Sequence, residues 1–330
     1  MSPDACNASR YVAGATEGFY ESWFQRANHP QRSLAFWIRY TVFVPRGQPD
    51  RAEGELWAIW FDGEAGRVVA VREAYPIADC AFAAHGLETR IGTATLDDRG
   101  LAGRAAAAGH ALGWSLRFAG AEPPLLLLPE GLYAGGFPKA KALVARPNAV
   151  FDGTLAVDGA EIPIDGWRGS QNHNWGSRHT DRYAWGQVAG FDDAPEAFLE
   201  CATAQVRIGP LWTPRLSFLV LRDGGEEYRV AGLGGALRAR GRFGFFHWTI
   251  AAPVCDARID VRIEAPAAAF VGLGYRNPPG GTKTCLNTKL ASATVTLRRP
   301  GLPERRLVTR HRAAFEILTD RADHGVPLLA

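Results

Sequence analysis

The sequence lacks the features that mark several common classes of protein. Only 5 of its 330 residues are cysteine and no two form a CxxC pair, so neither a disulfide framework nor a zinc ribbon is indicated. No apolar run approaches the ~20 residues that a membrane-spanning helix needs. The N-terminus has neither the basic nor the apolar region of a secretory signal peptide. We therefore expect a cytoplasmic protein without an integral membrane segment; peripheral contact with a membrane stays open.

Lysine is scarce, and the overall charge is nearly balanced. The chain has 4 lysines, its arginines are spread along its whole length, and the net charge is only +3. Nucleic-acid-binding proteins usually concentrate basic residues on one face or in one run. We therefore expect no nucleic-acid partner. The sequence assigns no oligomeric state.

Glycine and proline are abundant, and the dominant hydrophobic period is two. The 37 glycines and 21 prolines interrupt helices, because glycine costs backbone entropy and proline lacks an N–H group. From Leu34 to Val44 every second residue is apolar, and from Ala257 to Glu264 apolar and charged residues alternate. Both patterns are typical of strands with one buried face. We expect helices only at Gly100–Ala111 and His311–Leu318.

The spacing of the strand patterns predicts the architecture. About sixteen strands are separated by turn signals such as Asp158-Gly159, and they form two sets of about eight divided near residues 165–180. The predicted fold is all-β, with two lipocalin-like (calycin) antiparallel β-barrel domains packed together. We place the first domain at 1–178, ending in a His-Asn-Trp-Gly loop, and the second at 179–330.

A polar, tryptophan-rich segment joins the two predicted domains. Between Trp167 and Gly186 it holds asparagines, glycines, histidines and three tryptophans. Asparagine and glycine are ordinary loop residues, and such side chains can satisfy buried backbone groups. Composition alone therefore favours a connecting loop. We expect Trp167, Trp175 and Trp185 to lie where the two barrels meet, and Trp57, Trp60 and Trp114 to fill barrel cores.

One motif in this segment resembles a known family. The run His173-Asn174-Trp175-Gly176, with Trp185-Gly186 on the next strand, is similar to the motif of the carotenoid 1,2-hydratase (hydroxyneurosporene synthase) family, which includes AttH-type proteins. Two further stretches fit the same family: the early Glu21-Ser-Trp23-Phe24, and the late Tyr275-Arg-Asn277-Pro278 followed by Cys285-Leu-Asn287. The resemblance implies two calycin-like barrels and an enzyme of the hydratase type. It also implies that His173, Asn174 and Trp175 orient the substrate or a water molecule.

The chemistry implied by this family requires a proton donor in an apolar setting. Hydration or cyclisation of an isoprenoid begins with protonation to a tertiary carbocation, which aromatic faces stabilise. Burial keeps a carboxylic acid neutral and able to donate that proton. Glu200 is the best candidate, because its predicted strand neighbours on the same face are apolar. Asp181 is the second candidate; a buried ion pair for Glu200 and a solvated one for Asp181 are the structural alternatives.

The remaining predicted site residues would line the substrate cavity. We expect a catalytic role for His173, Glu200 and Asp181, and substrate contacts from Trp175, Asn174, Trp185, Tyr183, Trp23 and His247. For His247 a place in a satisfied core is the alternative. No Walker loop, HExxH or GxSxG motif occurs, and the histidines show no metal-ligand spacing, so we expect no metal and no cofactor.

Three functions fit these observations. The first is an enzyme that hydrates or cyclises a C=C bond of a large apolar substrate, isoprenoid or polyketide-like, with acid assistance. The second is a pericyclase, which folds a reactive polyene by shape and needs no acid. The third is a non-catalytic carrier of a lipid or pigment. The partner in each case is a hydrophobic small molecule.

Overall fold

Strands dominate the computed structural model, which describes residues 3–230 and 232–330. Its two helices are α1 (Pro3–Asn7) and α2 (Gly232–Arg238). The first twelve strands are β1 (Phe19–Asn28), β2 (Leu34–Val44), β3 (Glu53–Asp62), β4 (Arg67–Pro76), β5 (Cys80–Phe82), β6 (Glu88–Ile91), β7 (Ala94–Asp97), β8 (Gly100–Ala107), β9 (His110–Ala119), β10 (Leu125–Leu126), β11 (Ala140–Val157) and β12 (Ala160–Gly176). The later strands are β13 (Arg182–Ala189), β14 (Phe198–Gln205), β15 (Arg207–Ile208), β16 (Leu211–Trp212), β17 (Leu216–Asp223), β18 (Glu226–Arg229), β19 (Arg240–Gly244), β20 (His247–Val254), β21 (Ala257–Glu264), β22 (Val271–Arg276), β23 (Thr282–Arg298) and β24 (Arg305–Thr319).

The first twelve strands form one antiparallel sheet that curls into a nearly closed barrel. Its order is β4-β3-β2-β1-β12-β11-β9-β8-β7-β6-β5, with β10 paired to β11. Successive side chains of a strand point to opposite faces, so every second residue reaches the barrel interior. The interior is filled by apolar and aromatic side chains such as Trp23, Tyr40, Trp60, Trp114 and Trp167. The predicted all-β, lipocalin-like fold is confirmed.

The second sheet contains ten strands in the order β18-β17-β14-β13-β24-β23-β21-β20-β19, with β22 paired to β23. Its inner face buries a separate apolar core that includes Leu199, Trp248, Val261 and Phe315. The strands β15 and β16 form a small hairpin outside both sheets. The chain passes from one sheet to the other in residues 177–181, where the domain boundary was predicted. The independence of 1–178 and 179–330 as domains stays a prediction.

The His-Asn-Trp-Gly motif was predicted to be a loop, but it forms the end of β12. Its residues pair with β1 on one side and β11 on the other, with His173 opposite both Trp23 and Leu143. Ladder hydrogen bonds on both sides satisfy the backbone of this segment and outweigh the loop preference of asparagine and glycine. The motif is therefore held rigidly.

Both predicted helices are also strands. Residues of Gly100–Ala111 form β8 and the turn into β9, where pairing along β9 overrides the helix propensity of alanine. Residues His311–Leu318 belong to β24. From Ala313 onward every residue of β24 is buried, since this strand is covered on both faces. A strand buried on both faces loses the alternating pattern by which strands are recognised.

The two sheets pack face to face. On β1 and β2, the residues that do not enter the first barrel point toward the second sheet; Phe24 and Trp37 are examples. On β13 and β14, Trp185 and Glu200 point back toward the first. Of the three tryptophans predicted between the barrels, only Trp185 lies there. No helix among the described residues is long and apolar enough to cross a bilayer.

Candidate active site between the two sheets

Alternation along β12 sends the motif into two different places. His173 and Trp175 point to the inside of the first barrel, where His173 stacks on Trp23 with ring centroids 4.9 Å apart. Asn172 points the other way and accepts a hydrogen bond from Gln187 of β13 at 2.8 Å. Asn174 shares that outward face by strand alternation. The motif therefore links the barrel interior with the layer between the sheets.

His173 is enclosed by the N-terminal segment. Its Nδ1 lies 2.6 Å from the backbone oxygen of Cys6, and its Nε2 lies 2.9 Å from Oε1 of Glu21. A carbonyl oxygen only accepts, so Nδ1 donates to Cys6, while Nε2 faces the carboxyl of Glu21. Glu21 also accepts from the backbone N–H of Arg10 and from the hydroxyl of Ser9. His173 and Glu21 are fully buried and hold residues 6–10 against β1.

An open cavity of about 730 Å³ lies at the same end of the first barrel. Its wall includes Trp175, Tyr133, Lys139 and Lys141, while Arg10 covers Trp175 at 3.6 Å from the ring centroid. His173 does not line this cavity, because Trp175 and Arg10 separate the two. Trp175 thus lines the cavity at the barrel mouth beneath Arg10 and not the layer between the sheets.

Glu200 is the central acidic group of the layer between the sheets. Its carboxyl accepts hydrogen bonds from Nε1 of Trp185 at 2.7 Å and from Nε2 of Gln187 at 2.8 Å. Only 3% of the residue is exposed. Burial raises the pKa of Glu200 to about 7, because desolvation of the carboxylate outweighs these two donors and the nearby Arg26. Glu200 can therefore both hold and release a proton near neutral pH.

A chain of hydrogen bonds extends from Glu200 into the first sheet. The side-chain oxygen of Gln187 accepts from Nε of Arg26 at 2.7 Å and from the hydroxyl of Ser170 at 2.6 Å. Arg26 also donates through Nη1 to Asn28 at 2.8 Å. Burial lowers the pKa of Arg26 to about 9, which leaves the guanidinium charged at neutral pH. The network fixes the rotamers around Glu200.

A buried ion pair borders the same layer. Nζ of Lys289 lies 2.9 Å from Oε1 of Glu316 and donates to Oδ1 of Asn287 at 2.6 Å. Asn287 donates in turn to Glu316 at 2.8 Å. Lys289 is fully buried, and burial lowers its pKa although Glu316 acts in the opposite direction. These side chains come from β23 and β24, on the same face as Glu200.

Aromatic rings complete the wall around these charges. Phe24 lies 6.1 Å from Trp37 and 6.1 Å from Trp185, measured between ring centroids. Nζ of Lys289 lies 5.6 Å from the centroids of both tryptophans. Phe24, Tyr183 and Trp185 are only partly buried, so the layer opens to solvent beside them. We call the following group the interlayer site: Phe24, Arg26, Trp37, Trp185, Glu200 and Lys289.

A narrow cavity adjoins the layer on the other side of Arg39. It is lined by Arg39, His179, Tyr275 and Glu55 among others, and its volume of about 10 Å³ holds about one water molecule. Nε2 of His179 lies 3.0 Å from the carbonyl oxygen of Arg276 and donates to it. Burial lowers the pKa of His179 to about 3, so this imidazole is neutral at physiological pH.

The structure brings together only part of the predicted site. Glu200, Trp185 and Tyr183 share the layer between the sheets, whereas His173, Trp23 and Trp175 belong to the first barrel. Asp181 accepts from Nη2 of Arg178 at 2.6 Å and from the backbone N–H of Arg207 at 2.8 Å, so it forms an ion pair, although a buried one and not the solvated pair of the alternative.

The side chain of His247 lies elsewhere. It is exposed at the start of β20, away from all of the other predicted site residues. Exposure argues against the cavity-lining role and against the satisfied-core alternative alike.

Sequence reasoning missed four of the six residues of the interlayer site, Phe24 among them. Arg26, Trp37 and Lys289 were not predicted, and neither was the ion-pair partner Glu316. A signal was present, since Cys285, Asn287 and Lys289 interrupt β23 with polar residues at every second position. In the part of the chain that the structure describes, no three His, Cys, Asp or Glu residues are grouped so as to hold a metal ion.

No family model matches the chain. Two uncharacterized proteins of Mycobacterium tuberculosis, from strains CDC 1551 and H37Rv, are each 26% identical over 288 residues, covering 85% of this chain and 82% of theirs.

Solved structures give the fold. A putative AttH from Nitrosomonas europaea matches with a TM-score of 0.57 and 12% identity, covering 95% of this chain and 97% of that one. Kievitone hydratase from Nectria haematococca matches with a TM-score of 0.51 and 10% identity, covering 97% of each chain. CghA in complex with Sch210972 matches with a TM-score of 0.55 and 12% identity, covering 96% and 95%. Over nearly its whole length, the chain thus shares the lipocalin-like fold of an AttH-type protein, a hydratase and CghA.

Proposed function

We propose that this protein is an enzyme that hydrates or cyclises a C=C bond of a largely apolar substrate held in the interlayer site. Glu200 is the proton donor. The observation that carries the proposal is this buried carboxyl, whose pKa lies at about 7 and whose position is fixed by Trp185 and Gln187. A general acid works best when its pKa lies near the operating pH.

The surroundings of Glu200 suit an apolar substrate. Phe24, Trp37 and Trp185 offer flat apolar faces, and the partial exposure of Phe24 and Trp185 gives access from solvent. Isoprenoid and polyketide-like chains present such surfaces. A pericyclase would use the same walls without an acid, and a carrier would use them without turnover. Glu200 is the feature that favours acid catalysis over both.

The first probes are kievitone, the substrate named for one structural relative, and the conjugated ketone β-ionone. With wild-type protein in ¹⁸O-labelled water we expect a product that carries one oxygen from the solvent. In D₂O, one deuterium should enter a carbon that was part of the double bond. The readout is mass spectrometry of the product. A cyclised product with deuterium but no ¹⁸O would indicate cyclisation instead of hydration.

Two outcomes would overturn acid catalysis. If a product forms without deuterium on carbon, proton transfer from Glu200 plays no part and the pericyclase function applies. If kievitone and a panel of isoprenoid polyenes bind but none is converted, the carrier function applies. The Glu196→Gln variant serves as a control, because the Glu196 side chain is 77% exposed and pairs with Arg168 outside the interlayer site.

We also propose that the protein works in the cytoplasm and collects its substrate at a membrane surface. The β15–β16 hairpin exposes Ile208 (69%) and Leu211 (71%), and its Trp212 lies under Arg182. Arg207 adds a second cation to the hairpin. Exposed apolar side chains beside arginines fit an anionic lipid surface, where tryptophan is favoured at the interface.

Vesicle binding tests this contact. The protein should sediment with vesicles of phosphatidylcholine and phosphatidylglycerol, and less with phosphatidylcholine alone. The double substitution Ile208→Ser and Leu211→Ser should weaken binding about tenfold or more, since each side chain contributes roughly 1.5–3 kcal/mol when buried. Leu302→Ser is the matched control, because Leu302 is also exposed but lies elsewhere. Equal binding by both variants would contradict the proposed contact.

A further inference from the structure

The interlayer site contains hydrogen-bond donors without acceptors. Nη2 of Arg26 and Nε1 of Trp37 are buried and have no hydrogen-bond partner, and the same holds for Nε of the neighbouring Arg39. Arg26 and Trp37 stand directly opposite each other on β1 and β2, and their exposure is 0% and 1%. An unmade hydrogen bond of a buried donor is costly, most of all for a charged group. The site therefore matches a ligand that brings an acceptor.

Arg26 also lacks a direct counter-charge. Among the described residues no carboxylate lies within salt-bridge distance of it; its bonded partners are the neutral oxygens of Gln187, Asn28 and the Arg312 backbone. Lys289, the second fully buried cation of the layer, is already paired with Glu316. The unpaired guanidinium of Arg26 disfavours a substrate carbocation beside it and favours a substrate that develops negative charge.

We propose that the substrate carries a carbonyl group conjugated to the reacting double bond, and that Arg26 and Trp37 donate hydrogen bonds to its oxygen. The inference rests on the proposed function, since it names the substrate class of the same site. Conjugation moves the developing charge onto the carbonyl oxygen, next to the unpaired donors. An isolated alkene would leave those donors unpaired throughout the reaction.

For such a substrate, hydration is a conjugate addition of water. The oxygen of water bonds to the β carbon, and the π electrons pass to the carbonyl oxygen, where Arg26 and Trp37 hold the enolate charge. Glu200 transfers its proton to the α carbon, which restores the carbonyl. The carboxylate of Glu200 then takes a proton from the positively charged oxygen on the β carbon. One water molecule is added, and Glu200 ends in its starting state.

Ligand binding tests the carbonyl contact without any turnover. The probes are β-ionone, an apolar conjugated ketone, and the hydrocarbon of the same skeleton with CH₂ in place of C=O. Affinities are measured by quenching of tryptophan fluorescence. We expect Arg26→Met to weaken binding of β-ionone about tenfold or more and to leave the hydrocarbon unaffected, since a hydrogen bond to a charged donor is worth more than a neutral one. Arg67→Met, at the exposed Asp158 pair, is the control.

An absorption measurement distinguishes loss of the hydrogen bonds to the carbonyl from unfolding of a variant. The π–π* absorption of the ketone should shift to longer wavelength in wild-type protein, because donors stabilise its charge-separated excited state. Trp37→Phe removes one N–H and keeps an aromatic ring, so the shift should shrink while the fold persists. The inference is overturned if β-ionone does not bind, if no shift occurs, or if both variants keep the wild-type shift. Conversion of an unconjugated alkene with deuterium uptake would overturn it and leave the proposed function standing.

Discussion

Replacing Glu200 with glutamine should lower kcat by about 10³-fold, within the range of about 10²–10⁴ that a general acid contributes. Glutamine keeps the size of the side chain and can still accept from Trp185, but it has no proton to give. KM should change little, because the aromatic walls that bind the apolar substrate remain in place. The measurement is steady-state kinetics with the probe compound that the wild-type protein converts.

The pH profile of the wild-type enzyme provides a second readout of the same group. Glu200 acts in its protonated form and its pKa lies at about 7, so kcat/KM should be level below that pH. Above it the rate should fall about tenfold for each pH unit. This decrease above pH 7 should be absent from the pH profile of the residual activity of E200Q. A wild-type profile that rises through neutral pH would show that a deprotonated group is required instead.

The raised pKa of Glu200 should make the free energy of unfolding depend on pH, and this can be measured without a substrate. The folded protein binds the Glu200 proton more tightly than the unfolded chain does. The stabilisation that this proton adds to the folded state is therefore complete below the pKa of the unfolded chain and is lost as pH rises to about 7. The unfolding free energy of wild type relative to E200Q should therefore fall by about 3 kcal/mol between pH ~4.5 and ~7. Urea unfolding at several pH values measures it. A difference that does not vary with pH would contradict the burial of an ionisable Glu200.

Replacing Lys289 with methionine should destabilise the protein by about 3–5 kcal/mol, the usual cost of leaving one partner of a buried ion pair alone. Methionine fills most of the lysine volume, so the loss reflects the charge of Glu316 and not a cavity. Glu316 would keep only the Asn287 hydrogen bond and a weak contact from Cys285. The measurement is the free energy of unfolding in urea.

The double variant is the decisive control for this pair. Lys289→Met combined with Glu316→Gln removes both charges and keeps an acceptor for Asn287, so most of the lost stability should return. A lysine-to-methionine loss of less than about 1 kcal/mol would contradict the ion pair. A double variant as unstable as the single one would show that the lysine acts through packing.

The fold could be predicted from sequence because one-face burial leaves a period of two. The prediction failed at β8, where alanine favours a helix, and at β24 and β12, where both faces are covered. In β24 the buried run from Ala313 erases the alternation, and in β12 polar residues serve two faces at once. Propensity reasoning assigned these segments to two helices and a loop. Tertiary pairing on both sides decides them.

The site was predicted only where a single strand carried the information. Glu200 could be recognised because its neighbours on the same face are apolar. Arg26, Trp37 and Lys289 could not, because their roles depend on contacts between strands that lie more than a hundred residues apart in the chain. His173 shows the opposite error: its motif is conspicuous, yet its side chain is enclosed by Cys6 and Glu21.

The sequence by itself determined an all-β chain with two strand sets, no metal-ligand spacing and one acidic residue on an apolar strand face. Those properties follow from local alternation, turn residues and composition. Only the tertiary structure decided which face of each strand meets the other sheet. It thereby joined Arg26 and Trp37 from the first sheet to Glu200 and Lys289 from the second. The physical reason is that the protonation of Glu200 depends on desolvation and on charges from both sheets, which no single strand contains.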